Sequence, residues 1–301
     1  MRDIAKKPLY PRIYMLLTCR CNLRCRMCSY MIAYINDPWH PSTEEIKKTL
    51  DRVFEIGDYK IFDFSGGEIF VRDDLAEILR YAYRYNEQVK EYWCIVTNCG
   101  FPLSTEMVNI IRTYGRKLKI KLDNYGVHSP YFASIKEELT EVGAWVEEHN
   151  YTGDKSEQYY GGWLMRDISY TPKRTLEEAE ILHTQCQGAG TDNKMTIVDG
   201  RICYCSTVAI INYVYGLEFE ECSFQLFDPN LSIEQIRMKC DDMWEGRIPH
   251  HVCRYHEKLN ANVRDRISAA EQLTQTEIGI IINKNISHEM IYQIATMRRE
   301  D

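Results

Sequence analysis

Nowhere in its 301 residues does this chain carry an apolar run long enough to cross a bilayer, and no segment repeats or falls to low complexity. A membrane protein and a repeat solenoid are therefore not expected. Basic charge is also scarce: 37 Lys and Arg stand against 44 Asp and Glu, for a formal net charge of −7. Nucleic-acid binding needs a basic stripe, so neither DNA nor RNA is an expected partner. The opening MRDIAKKPLYPRIYMLL holds two prolines and no long apolar stretch before Thr18. It fits neither a secretion signal nor a membrane anchor, and the expected location is the cytoplasm. A second CxxC pair, from which structural zinc sites are often built, is missing too.

Cysteine is abundant. Twelve cysteines in a chain without a secretion signal point to metal or catalytic thiols rather than to a disulfide framework. The hydrophobic share of 45% is ample for a sizeable core.

Strand-like and helix-like patterns alternate from about residue 12 to 150. Strands are expected at 12–17, 60–64, 93–97, 118–122 and 145–146. Helices are expected at 42–56, 73–85, 104–114 and 134–142. Ser42 followed by Glu45 reads as a capping box, and Ser104 as a second cap. Such alternation predicts α/β architecture, with βα units on a parallel sheet that is open or closed into a barrel. Active sites on these sheets lie at the C-terminal strand ends. The cysteines after the first strand and Gly66-Gly67-Glu68 after the second both fall there.

Beyond residue 150 the alternation fades. A helix opens at the Thr175/Glu178 capping box. Asp199-Gly200 between apolar runs at 194–198 and 201–204 predicts a type I′ hairpin. Another helix is expected at 232–243, and a mostly helical tail from 259 holds a short strand-like insert at 278–282.

Cys21, Cys25 and Cys28 place three thiolates on one short loop. Three thiolates can hold three irons of a four-iron cluster, leaving one iron open for a cofactor. Cys19, at the strand end, reads as a buried spare thiol, and Cys94 as core.

At these residues the sequence resembles the radical S-adenosylmethionine superfamily. CNLRCRMC matches its CxxxCxxC loop. SGGE (Ser65, Gly66, Gly67, Glu68) resembles the motif that receives the methionine amine of the cofactor. VTNCG, with Asn98, resembles a Thr-Asn-Gly turn in which Cys99 takes the glycine position. KLDNYG resembles a later strand end, where Asp123 could bind ribose or methionine. Met27 stands where an aromatic residue often packs on adenine. The resemblance implies a partial (β/α) barrel over residues 1–170. It also implies a [4Fe-4S] cluster, S-adenosylmethionine, a 5′-deoxyadenosyl radical, and a reducing partner such as flavodoxin or ferredoxin.

The stretch from Cys186 through the hairpin to Cys203 resembles a twitch domain, the shortened relative of the SPASM domain, over residues 171–258, with a helical extension at 259–301. Cys186, Cys203 and Cys253 would hold an auxiliary iron–sulfur cluster. His256 stands where a last cysteine is expected, and Cys240 is the other candidate fourth ligand. Zinc on the same residues is a rival. His250 and His251 are further candidates that read more simply as loop histidines. Cys205 could donate a hydrogen atom at the active-site mouth, whereas Cys222 is left over.

The span from Tyr125 to the hairpin resembles a subgroup acting on sugars and aminocyclitols. Trp163 would form a platform for a sugar ring, and Arg166 would hold a hydroxyl, phosphate or carboxylate. Dehydrogenation or epimerisation of a sugar, nucleotide sugar or aminocyclitol is the expected reaction. The alternative is maturation of a ribosomally made peptide, made less favoured by the roughly twenty residues ahead of the first cysteine, too few for a leader-binding domain.

Overall fold

Period-two alternation along each early strand decides the architecture. The computed structural model describes residues 7–164, 168–184, 195–248, 250–256, 266–282 and 286–296. Strands β1 (Leu9–Thr18), β2 (Asp58–Gly66), β3 (Val89–Thr97), β4 (Leu118–Asn124) and β5 (Trp145–Asn150) lie parallel, in the order β5-β4-β3-β2-β1. Helices α1 (Thr43–Ile56), α2 (Leu75–Ala82), α3 (Thr105–Tyr114) and α4 (Phe132–Glu141) connect them. The capping box of Ser42 and Glu45 is present, and Ser104 caps α3.

One face of each strand meets the helices. Phe62, Phe64, Trp93, Ile95, Ile120 and Leu122 are all buried. The Phe54 ring of α1 stacks on Tyr85 at 4.4 Å and on Phe62 at 5.1 Å. Every second residue points the other way, giving Arg12 and Tyr14, Asp63 and Ser65, Cys94 and Val96, Lys121 and Asp123, then His149 and Tyr151, all around one cavity. The sequence pattern thus builds an apolar outer face and a polar lumen.

A two-residue strand β6 (Trp163–Leu164) follows, then α5 (Leu176–Thr184), with Thr175 and Glu178 bonded as a capping box. Strand β7 (Met195–Val198) joins the same sheet beside β1, in parallel. Strands β8 (Arg201–Cys203) and β9 (Ser223–Gln225) extend it antiparallel, so the hairpin continues the barrel sheet. Asp199 and Gly200 have φ of 50° and 64°, the two left-handed residues that a type I′ turn requires.

Helix α6 (Ser206–Tyr215) lies between β8 and β9, and α7 (Ile233–Trp244) follows with a Ser232 capping box. Strand β10 (Arg266–Ile267) pairs with β6. The segment expected to be strand-like at 278–282 is instead helical, within α8 (Gln275–Ile282), and α9 (His288–Thr296) ends the described chain. Thr274 and Glu277 cap α8 reciprocally, which outweighs the β-branched run. No helix among the described residues is long and apolar enough to cross a membrane.

Candidate active site

The loop after β1 carries Cys21, Cys25 and Cys28, and these thiols line one cavity of about 200 Å³. Ser65, Gly66, Gly67, Glu68, Asn98 and Asp123 line it as well. The structure therefore brings the ends of four strands, β1 to β4, to one place.

The two glycines are required by the cysteine loop. Gly66 has φ of 139°, and a Cβ there would collide with the carbonyl of Thr18; at Gly67 it would collide with that of Arg20. Backbone bonds lock this approach, from Gly67 N–H to Thr18 O at 2.8 Å and from Glu68 N–H to Arg20 O at 3.0 Å. Asn98 braces the other side: its amide donates to Asn22 Oδ1 at 2.9 Å, and its Oδ1 accepts from Gly100 N–H at 2.8 Å. Cys99, at φ 55°, holds the left-handed position where glycine was the expected residue.

Glu68 is buried, accepting from Phe70 N–H at 3.0 Å and from Asn98 N–H at 2.7 Å. Burial pushes its carboxyl up to about 7, against the opposing pull of those bonds. Between the ordinary carboxyl value and about 7 the folded state keeps a proton that the unfolded chain has released, so stability falls as pH rises through that window. In the cluster-free protein Glu68→Gln should flatten this decline, by at most about 1.4 kcal/mol per pH unit. Urea denaturation from pH 5 to 8 measures it, and parallel curves for both proteins would count against a strained carboxyl.

Burial also raises the thiols, Cys21 to about 12, and Cys25 likewise moves upward. A soft metal centre would displace these protons. Among the described residues no three His, Cys, Asp or Glu converge on one ion-sized point. Cluster ligands bind separate irons and need no such convergence. The donor set, the glycine-backed wall and the buried carboxyl fit a four-iron cluster carrying an amino-acid cofactor.

Next to this cavity lies the lumen, of about 380 Å³, and the two share Ser29, Ser65, Val96, Asp123, Tyr125 and Trp163. Arg12 grips Asp63 with two bonds of 2.7 and 2.8 Å. Asp123 accepts from Tyr125 at 3.0 Å and meets His149 Nδ1 at 2.8 Å, while His149 Nε2 meets Glu147 at 2.7 Å. Burial disfavours a charge on His149, but the two carboxylates outweigh it and hold its pKa above the ordinary value. Both Asp123 oxygens are thus engaged within the protein. Trp163 stands edge-on to Tyr125 at 5.6 Å. Met27 lines the lumen, and so does Cys94, expected as mere core.

Cys186 and Arg166 lie outside the described residues. Cys205 is the residue before α6 and is absent from the described lining of either cavity; its electrostatic neighbours include Cys203 and Cys222. The Cys222 thiol accepts from Val252 N–H, which brings the turn His251–Arg254, with buried Cys253, against it. Cys222, unassigned from sequence, belongs with this group. The register that sets Cys203 opposite Ser223 puts it there, a long-range pairing with no local signal. His256 is buried beside Ile168 through a backbone bridge. Cys240 does not join them: it is buried on α7 within the fields of Tyr10 and Tyr59, at the opening ends of β1 and β2. The His250 ring stacks on His183 at 3.5 Å, and its Nδ1 has no partner. Burial and the neighbouring imidazole lower its pKa to about 4. His251 meets Glu221 at 2.6 Å.

Fold and site together define a mostly parallel α/β protein with a thiol-lined mouth at the strand ends. Residues 15–130 match the Radical SAM superfamily. That stretch thus resembles a radical SAM domain, a family whose cofactors are a [4Fe-4S] cluster and S-adenosylmethionine. Over 120 residues it is 32% identical to the antilisterial bacteriocin subtilosin biosynthesis protein AlbA of Bacillus subtilis (strain 168), 40% of this chain and 25% of AlbA. The match thus spans a quarter of that curated relative. Two solved structures share the fold. BtrN in complex with AdoMet and 2-DOIA has a TM-score of 0.52 at 13% identity, covering 89% of this chain and 100% of BtrN. The anSMEcpe structure with bound AdoMet has a TM-score of 0.50 at 12% identity, covering 96% and 97%.

Proposed function

We propose that the chain is a radical enzyme that removes a hydrogen atom from a C–H bond of a hydroxylated small molecule, in dehydrogenation or epimerisation. The observation that carries this is the shared wall between the thiol-lined cavity and the polar lumen. A substrate in the lumen would lie directly against a cofactor on the cysteine loop. Cys21, Cys25 and Cys28 would hold the cluster; Ser65, Gly66, Gly67 and Glu68 would receive the methionine end, with Asn98 bracing the loop. Bound there, cluster and S-adenosylmethionine supply a 5′-deoxyadenosyl radical.

Charged and aromatic groups in the lumen suit a ring bearing hydroxyls or amines. Trp163 and Tyr125 would give it a face, and Arg12, Asp63 and Lys121 polar contacts. In dehydrogenation the carbinol carbon gives up a hydrogen atom. Its hydroxyl proton would pass to Asp123, which Tyr125 and His149 hold in place; Cys203, Cys205, Cys222 and Cys253 would hold a second cluster able to accept an electron. A flavodoxin or ferredoxin would supply the reducing electron. In epimerisation a thiol returns the hydrogen atom, and Cys94 lines the lumen for that role where Cys205 does not. In this division residues 1–170 would carry the barrel's parallel strands β1–β5, 171–258 the second cluster on strands that continue the same sheet, and 259–301 the extension.

Peptide maturation is the second reading, favoured by the match to a protein named for bacteriocin biosynthesis. Incubation of the reduced, loaded protein with a panel of sugars, aminocyclitols and peptides separates them. A dehydrogenase product is two mass units lighter than substrate. An epimerase product keeps its mass in ordinary water and gains deuterium in heavy water. Turnover confined to peptides overturns the small-molecule reading.

A further inference from the structure

The C-terminal segment after β10 does more than pack against the barrel. It lies across the cysteine loop. Cys25 and Gln272 form an isolated antiparallel bridge, Arg26 N–H donates to Glu271 O at 2.8 Å, and Leu273 N–H to Arg24 O at 2.9 Å. These contacts link residues about 250 positions apart, so the loop's shape depends on the far end of the chain.

Within this bridge the Gln272 side chain has one orientation that satisfies it. Its Oε1 accepts from Arg24 N–H at 2.8 Å, and its Nε2 donates to Ala270 O at 2.7 Å and to Cys25 Sγ at 3.1 Å. Reversing the amide would set two carbonyl oxygens together and two N–H groups together, so the network fixes which end faces the sulfur. Arg26, 1% exposed, anchors the segment: its guanidinium meets Glu271 at 2.8 Å, Glu277 at 2.8 and 3.0 Å, and Ile294 O at 2.8 Å.

We infer that Gln272 is a positioning residue for the cluster: its amide N–H on Cys25 Sγ holds the reduction potential of the cluster above the value the three thiolates alone would give. Reduction adds negative charge that spreads onto the ligand sulfurs. A donor aimed at one sulfur stabilises that charge, and hydrogen bonds to sulfur are among the factors that set cluster potentials. Burial of Cys25 strengthens the effect, because water competes little for the sulfur.

This inference rests on the cluster assigned to Cys21, Cys25 and Cys28. The test is an anaerobic redox titration of the reconstituted protein without S-adenosylmethionine, followed by electron paramagnetic resonance, together with iron content. Gln272→Leu removes the donor at similar length and should load iron fully with a midpoint shifted to more negative potential. Gln272→Glu keeps an acceptor for Arg24 N–H but puts a carboxylate against the sulfur, and should shift it further in the same direction. Wild-type midpoints in iron-loaded variants overturn the inference. So does loss of iron from both variants with unchanged apoprotein melting, which would make Gln272 an anchor only. Failure of the wild type itself to bind iron sinks the cluster assignment instead, so the two failures are distinguishable.

Discussion

Replacing Cys21, Cys25 and Cys28 together with alanine should remove about four irons per chain after anaerobic reconstitution and abolish cleavage of S-adenosylmethionine. The three thiols line one cavity beside Glu68, and the Gly66-Gly67 backbone is pressed against their loop. Three alanines leave no ligand there, so no partial loading is expected. The residual metal reports on the second thiol group. About eight irons falling to about four would mean a second four-iron cluster, for which Cys203, Cys205, Cys222 and Cys253 are the proposed ligands. About four falling to none, with zinc retained, would make that group structural and remove the electron acceptor that dehydrogenation requires.

Arg26→Leu should be the most destabilising single change in the loop. It leaves the Glu271 and Glu277 carboxylates facing a buried apolar side chain, and breaking a buried ion pair from one side costs about 3 kcal/mol or more. The low end applies, because the Glu271 side chain keeps 33% of its exposure while Glu277 keeps 14%. Burial works against the Glu277 charge, yet its bonds to Thr274 and Arg26 hold it down to about 2. Chemical denaturation of the cluster-free protein reads the loss. Arg26→Lys, which keeps the charge but not the forked reach to three acceptors, should recover only part of it. Wild-type stability in Arg26→Leu would show that the C-terminal segment is not held through this residue.

The barrel half was legible because its signals are local. Serine caps open α1 and α3, apolar residues recur at every second position in the strands, and the cysteines and the glycine pair follow directly on strand ends. Those regularities bring three thiols and a carboxylate to neighbouring strand ends, although the loop itself is shaped by the distant C-terminal segment. The second half reads less well. Helix α6 is apolar nearly all round, with seven buried residues, and therefore has no amphipathic face to betray it. Helix α8 carries the β-branched run around Gly279, and its Thr274/Glu277 capping box was the missed signal. Cys222 and Gln272 gain their places through strand register and a bridge between distant segments, neither of which spacing in sequence can show.

The dependence of the loop on Gln272, Glu277 and Ile294 sets an order for biosynthesis. The cysteines precede by some 250 positions the residues that close over Cys25 and bury Arg26. Closure of the loop therefore waits until the chain through residue 294 is made, a long-range contact of the kind that slows folding.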